Sequence, residues 1–255
     1  GRGVMVREME STDWDLEAAF ESVRRTLAIA PEPLQRRLED EYGVDAVVSG
    51  YGLTETSAIC AIASHEASQE IRTETVGMPL ANADVRIMDF ETDTEVPPGE
   101  EGEIRVRSRT LFKEYDRDPE LTRGAFDDEG YLRTGDVGRL TANGRLVFIG
   151  REKDVIKTGG INVSPQEVET TLERHPDVEE AVVVPVPDEG KDEVVGAMIR
   201  PPEGTTVDLD DVRAFAKERL AAYKVPTVLE RHPDSFPRTS TGKVRKTELQ
   251  DQLSE

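Results

Sequence analysis

This 255-residue chain is short of cysteine, lysine and long apolar runs, and each shortage excludes something. With one cysteine, Cys60, it can form no internal disulfide, so a reducing, cytoplasmic setting is expected. Cys60 sits in Ala58-Ile59-Cys60-Ala61-Ile62-Ala63 with no neighbouring cation to activate it, and reads as a small core filler. No segment approaches the roughly eighteen apolar residues that a membrane span needs. Gly1-Arg2-Gly3-Val4 has neither a basic start leading into an apolar stretch nor an initiator Met. We therefore expect no export signal, and a processed or cut end. Positive charge is scarce: 32 Lys plus Arg face 53 Asp plus Glu, for a formal net charge of −21. A polyanion is repelled by nucleic acid and by anionic membrane, so neither is an expected partner. The cations are 24 Arg and only 8 Lys, and the acidity is spread along the chain. That surface is of the salt-adapted, halophilic type, in which screening relieves self-repulsion. His65, His175 and His232 have no metal-ligand spacing and read as exposed or helix-end residues.

The chain reads as α/β followed by α+β. Apolar spacing predicts helices over 14–25 and 34–42, the second stopped by Gly43, and a buried strand over 44–48. From about Val76 to Ile149, short alternating segments between Pro/Gly/Asn/Asp turns predict a small β-barrel or sandwich layer. Within it, Asn143-Gly144 signals a two-residue type I′ hairpin. Ser164-Pro165-Gln166-Glu167 is a helix start, with a capping Ser, a first-turn Pro and a capping-box Glu. Strands at 180–184, 194–200 and 227–230 and a helix over 209–221 complete the second unit. The boundary is expected at 152–154, giving domains 1–152 and 153–255.

Chemistry gathers first at Gly50-Tyr51-Gly52-Leu53-Thr54-Glu55-Thr56, a glycine-loosened turn following a buried strand. It offers a ring for stacking, hydroxyls for a phosphate and a carboxylate for Mg²⁺, which prefers oxygen ligands. Taken alone, an ordinary Gly-rich turn with a capping Thr is as good a reading.

The heptapeptide resembles the tyrosine-glycine-x-threonine-glutamate motif of the adenylate-forming (AMP-binding) superfamily, which includes the acyl-CoA synthetases. Four further segments resemble motifs of that family in the same order: Gly102–Arg107, Tyr131–Asp136, Gly150–Gly160 (continued by Asn162–Glu169) and Pro237–Arg245. The resemblance implies the tail of the large adenylate-forming domain with its β-layer, then a mobile C-terminal domain. By the same resemblance Tyr51 stacks on adenine, with Gly52 in the nucleotide-binding turn. Thr54 bonds the α-phosphate, Glu55 holds Mg²⁺, Asp136 accepts both ribose hydroxyls and Arg151 supports the ribose and phosphate side. Lys243 bridges the substrate carboxylate and the α-phosphate, where charge spreads in the transition state. Lys153 matches the hinge about which the second domain swings, and Gly159 and Gly160 fall in the loop facing CoA.

The implied activity is that of an acyl-CoA synthetase in fatty acid metabolism: a carboxylic acid and ATP give acyl-AMP, then CoA takes the acyl group. Acetate-specific relatives carry a bulky aromatic where this chain has Gly52, so the acyl floor is expected to be open to medium, long-chain or aryl acids. The family's glycine-rich loop for the β- and γ-phosphates has no counterpart before Gly50, so an N-terminal portion is expected to be missing and the isolated chain inactive. Ala28-Ile29-Ala30-Pro31 and Glu114-Tyr115 also depart from the family pattern. Two alternatives stay open: an amino-acid-adenylating domain, and a non-catalytic fragment or split subunit.

Overall fold

A computed structural model describes residues 20–27, 32–239 and 244–254. They form two compact units, Gly1–Glu152 and Lys153–Glu255.

In the first unit, strand β1 (Arg25–Leu27) runs parallel to β2 (Ala46–Val48), with helix α1 (Glu32–Asp40) between them. Half of the helix expected over 14–25 falls outside the described residues; in the other half Glu21 and Ser22 form a turn and Arg25 is already extended, so the helix does not reach the end predicted for it. Leu34 and Leu38 of α1 pack with Val44 and Val47, which fixes the helix against β2. Next come β3 (Gly50–Tyr51), a 3-10 turn at Thr54–Thr56, β4 (Ala61–Ile62), helix α2 (Gln69–Glu74) and β5 (Met78–Pro79). Strands β3, β4 and β5 make a small antiparallel sheet.

The β-layer consists of β6 (Ala83–Met88), β7 (Gly102–Ser108), β8 (Leu132–Leu140) and β9 (Leu146–Arg151), with helix α3 (Pro119–Gly124) between β7 and β8. The four strands are antiparallel in the order β6-β7-β8-β9. This sheet is open, not the closed barrel the turn spacing predicted. Closure would need β6 to pair with β9, yet both outer edges are engaged elsewhere. Met88 on β6 bridges Glu95, and Leu146 on β9 bridges Gly77. The β8–β9 turn also differs from expectation. Gly144 alone has positive φ, the Gly144 N–H donates to the Thr141 carbonyl, and the Thr141 N–H donates to that of Arg145. This is a three-residue loop with a left-handed glycine, since a type I′ turn would need Asn143 at positive φ as well. Tyr51, Cys60 and Ala61 join Val85, Ile87, Ile104, Val106 and Leu146 in one apolar cluster, so the small sheet packs on the β-layer.

The second unit opens with a hairpin, β10 (Ile156–Thr158) and β11 (Ile161–Val163), then helix α4 (Pro165–Leu172). The Ser164 hydroxyl caps α4 by accepting the Glu167 N–H, and Pro165 occupies the first turn. Strands β12 (Glu180–Asp188) and β13 (Asp192–Arg200), helix α5 (Leu209–Lys217), β14 (Val228–Arg231) and helix α6 (Lys246–Leu253) follow. The β13 strand is the spine: antiparallel to β12 on one edge, it meets β10 and parallel β14 on the other.

Alternation decides how this sheet is covered. Ala181, Val183, Val195, Ala197 and Ile199 face Val168 and Leu172 of α4 and Val212 and Ala216 of α5. Val182, Val184, Val186, Val194 and Met198 face Phe236 and Leu249 and Leu253 of α6. Gly196 lies on the α6 side, where a Cβ would come within 2.4 Å of Val186 and 3.2 Å of Leu253, so its bare backbone makes room for the helix. His175, expected at an exposed or helix-end position, does follow α4 but is buried. It stands edge-on to the Phe215 ring, its Nδ1 accepts the Asp177 N–H and its Nε2 lies 3.3 Å from Asp211. No helix among the described residues is long and apolar enough to cross a membrane.

Candidate functional site: a buried carboxylate between a tyrosine and an arginine

The end of β3 and the middle of β8 bring together residues 85 positions apart. The Tyr51 hydroxyl donates to Asp136 Oδ2 at 2.6 Å. Tyr51 is 6% exposed, with its ring stacked on Phe148 at 5.7 Å between centroids. Asp136 is 1% exposed. Strand register sets Asp136 opposite Arg151, whose Nε lies 2.9 Å from Asp136 Oδ1 and whose Nη1 donates to the Thr134 carbonyl. The Nε–H is not aligned on Oδ1, which therefore accepts no hydrogen bond although it is buried. That oxygen is enclosed by protein atoms, so a ligand hydroxyl could use its accepting capacity only where the Arg151 side chain gives way.

Electrostatics at Asp136 are finely opposed. Burial pushes its carboxyl above the usual carboxylate range; the Tyr51 hydrogen bond and the Arg151 charge pull it back, and the Glu103 and Glu55 charges push it up again. The Tyr51 phenol is raised, chiefly by burial and then by the neighbouring Asp136. Burial likewise pushes the Cys60 thiol up to about 11, in keeping with an inert filler.

Around the turn, Thr54 is exposed at the start of the 3-10 segment. Glu55 carries one engaged oxygen, Oε1, which accepts the Tyr115 hydroxyl at 2.9 Å, while its own carbonyl accepts the Phe112 N–H. Tyr115 is half-buried against Phe112, with ring centroids 4.6 Å apart. A single carboxylate with a second oxygen to give fits a Mg²⁺ that takes most of its ligands from phosphates and water. Among the described residues no group of three or more His, Cys, Asp or Glu could hold a metal without such help.

Gly52 does not leave the open floor that the sequence led us to expect. A Cβ there would lie 1.8 Å from the Ala58 carbonyl oxygen and 2.8 Å from the Ile59 Cα. The space is filled by the chain's own backbone, which turns back through Ser57 and Ala58, both at positive φ. Thr56, which the sequence did not single out, pins this loop: its hydroxyl accepts the Leu53 N–H and donates to the Leu53 carbonyl.

The other expected residues belong to the second unit. Lys153 is exposed and is the first residue of the second unit. Gly159 and Gly160 form the β10–β11 turn, both at positive φ and exposed, with nothing within 4 Å of an added Cβ. Lys243, with Ser240-Thr241-Gly242, lies outside the described residues, and so do Ala28–Pro31. Arg238 and Val244 pair in an antiparallel bridge. Sequence reasoning missed Tyr115, Thr134 and Glu103 as partners of the site. Their positions inside or beside the quoted motifs were the available signal, but only pairing across strands gives them a task.

Two family descriptions match in order, the AMP-binding enzyme over residues 5–116 and the AMP-binding enzyme C-terminal domain over residues 167–243. A 7a-methyl-1,5-dioxo-octahydroindenyl propanoyl:CoA ligase of Rhodococcus jostii is 39% identical over 88% of this chain and 41% of its own length. The 4-coumarate–CoA ligase 2 of Nicotiana tabacum is 32% identical over 95% of this chain and 45% of its own. Among solved structures, ATP-bound MatB from Rhodopseudomonas palustris superposes with a TM-score of 0.78 at 32% identity, covering 91% of this chain and 45% of that one. The chain belongs to the adenylate-forming, AMP-binding enzyme superfamily. It spans less than half the length of the two curated relatives named here.

Proposed function

We propose that this chain supplies the ribose-side and hinge-side half of an ATP-dependent acyl-CoA synthetase. The supporting observation is the convergence of Tyr51, Asp136 and Arg151 on one buried carboxylate that still has an accepting oxygen. In this reading residues 1–152 belong to the large nucleotide-binding domain and 153–255 to a mobile domain that turns about Lys153.

The chemistry runs in two steps. An oxygen of the substrate carboxylate attacks the ATP α-phosphorus, the bond to pyrophosphate breaks, and acyl-AMP forms. The CoA sulfur then attacks the acyl carbon and AMP leaves with the electron pair. Asp136 grips the ribose diol, a two-point contact that fixes the nucleotide's rotation. Tyr51 holds the adenine side and Arg151 the ribose and phosphate side. Thr54 donates to the α-phosphate, and Lys243 neutralises charge as carboxylate and phosphate approach. Glu55 would hold Mg²⁺, which supplies charge neutralisation on the phosphates. Gly159 and Gly160 leave a side-chain-free turn for the thiol to pass.

For the acid, the support now comes from the relatives, since backbone fills the space beside Gly52. The two curated relatives named above act on bulky-ring and aryl acids by their names, so we infer a medium-chain, longer or aryl carboxylic acid. In the intact enzyme that carries this chain, acid-dependent exchange of pyrophosphate into ATP, followed by CoA-dependent release of AMP, is the expected result. A panel of aryl and medium-chain acids that elicits no exchange would overturn the reading. The 255-residue chain by itself is expected to give none.

A further inference from the structure

We propose that Glu103 is a positioning residue for Asp136, acting through the backbone of Gly135 to aim the carboxylate that grips the ribose. The proposal rests on that role of Asp136. Glu103 is a carboxylate only 8% exposed, and burying one is unfavourable unless both oxygens are engaged. Oε2 accepts from Arg105 Nε at 2.9 Å, while Oε1 accepts the Gly135 N–H at 3.1 Å. Arg105 does not depend on it for charge compensation, because Asp93 and Asp127 also pair with its guanidinium. The contact that only Glu103 makes is the one to Gly135.

Strand pairing shows why Gly135 needs it. Glu103 pairs with Val137 and Arg105 with Arg133, so between these rungs Ile104 alone on β7 faces three residues, 134–136, on β8. Such a bulge takes backbone N–H groups off the ladder and redirects the side chain that follows. Gly135 stands at φ +65, and its N–H is taken up by Glu103. The next N–H, that of Asp136, goes to the Thr134 hydroxyl at 3.1 Å, and that hydroxyl donates to the Ile104 carbonyl. Two successive peptide planes are thereby fixed by side chains, and together they set the direction of the Asp136 Cα–Cβ bond. Without the Glu103 acceptor the 134–135 peptide is held only at its carbonyl, by Arg151 Nη1, and gains freedom to tilt, carrying Asp136 off the line between Tyr51 and Arg151.

The test compares ATP with 2′-deoxy-ATP and 3′-deoxy-ATP in acid-dependent pyrophosphate exchange by the intact enzyme. Wild type is expected to prefer ATP over both. Glu103→Ala should reduce that preference about tenfold, the size expected when one charge-assisted hydrogen bond is misaligned. KM for the acid should hold steady. Glu103→Gln, whose carbonyl can still accept the Gly135 N–H, should keep most of the preference. An unchanged ribose preference in Glu103→Ala, even in a slower or less stable enzyme, would assign Glu103 to stability alone and overturn the proposal. Gln losing as much as Ala would assign the effect to charge and overturn the backbone route. Should Glu103→Ala fail to fold, Thr134→Ala carries the same expectation, and an unchanged ratio there is equally fatal. Wild type without exchange sinks the functional reading itself, whereas exchange without ribose preference sinks the role of Asp136.

Discussion

The two units solve burial in different ways. In the second, β12 and β13 alternate valines, alanines and larger aliphatics so cleanly that one sheet feeds two apolar clusters, each roofed by helices. In the first, the β-layer buries Glu103, Arg105, Thr134 and Asp136 beside Ile104, Val106 and Val137. Those polar groups require a hydrogen-bonded bulge where the second unit has an uninterrupted ladder. An apolar interior of this sort derives its stability from area removed from water; the polar one trades part of that for a carboxylate held at a chosen angle. On the proposed function, that difference would separate the domain that moves as a body from the one that holds the ligand.

The sharpest break of that comparison comes from Lys243, to which the proposed function gives the charge-neutralising role. In the intact enzyme Lys243→Ala should lower acyl-AMP formation by about a hundredfold or more, the range seen when one preorganised charge partner is removed. Thioester formation from supplied acyl-AMP should be spared; equal loss of both steps would contradict the role given to Lys243. Leu172→Ala, at a fully buried position facing the β12–β13 sheet, should destabilise the second unit by about 2–5 kcal/mol in chemical denaturation. Nucleotide affinity should stay as it was, since the residue belongs to the apolar strategy.

Asp136→Asn should separate stability from binding in the first unit. Burial raises the folded-state pKa of Asp136 above its unfolded value, so the ionised form opposes folding. Its favourable contribution is complete at acid pH, below the unfolded carboxyl pKa, and is lost as pH rises through the folded one. The Asn variant should therefore melt higher than wild type at pH 8, with the gap closing towards pH 4, while its AMP affinity by calorimetry drops about tenfold. A lower melt at pH 8 would mean that Arg151 and Tyr51 outweigh burial. The mildest effect is expected from salt. With a net charge of −21, both units should gain melting temperature from dilute buffer to molar KCl, and equal melts would remove the salt-adaptation reading.

Much of the second unit was legible beforehand because its signals are local. A Ser-Pro start names a helix by capping chemistry, and a run such as Ala181–Val184 names a two-sided strand by composition. The omissions there were the short strands β10 and β11 and helix α6: Lys246–Leu253 is polar apart from Leu249 and Leu253, which pack on the sheet where Gly196 leaves room. In the first unit the motif residues were legible and their partners were not. Tyr115 against Glu55 is a contact across 60 residues, Glu103 against Gly135 one across 32. Gly52 was misread because sequence reports a missing side chain without reporting the backbone that fills its space.

Taken alone, the amino-acid order determined the family and much of the succession of helices and strands, because capping, alternation and motif chemistry are properties of neighbouring residues. Only the tertiary structure decided that the β-layer stays open, that three residues of β8 face one of β7, and that Asp136 keeps an unsatisfied oxygen between Tyr51 and Arg151. Register between distant strands settles those points, and register is a balance of packing across the whole sheet that no local stretch of sequence carries.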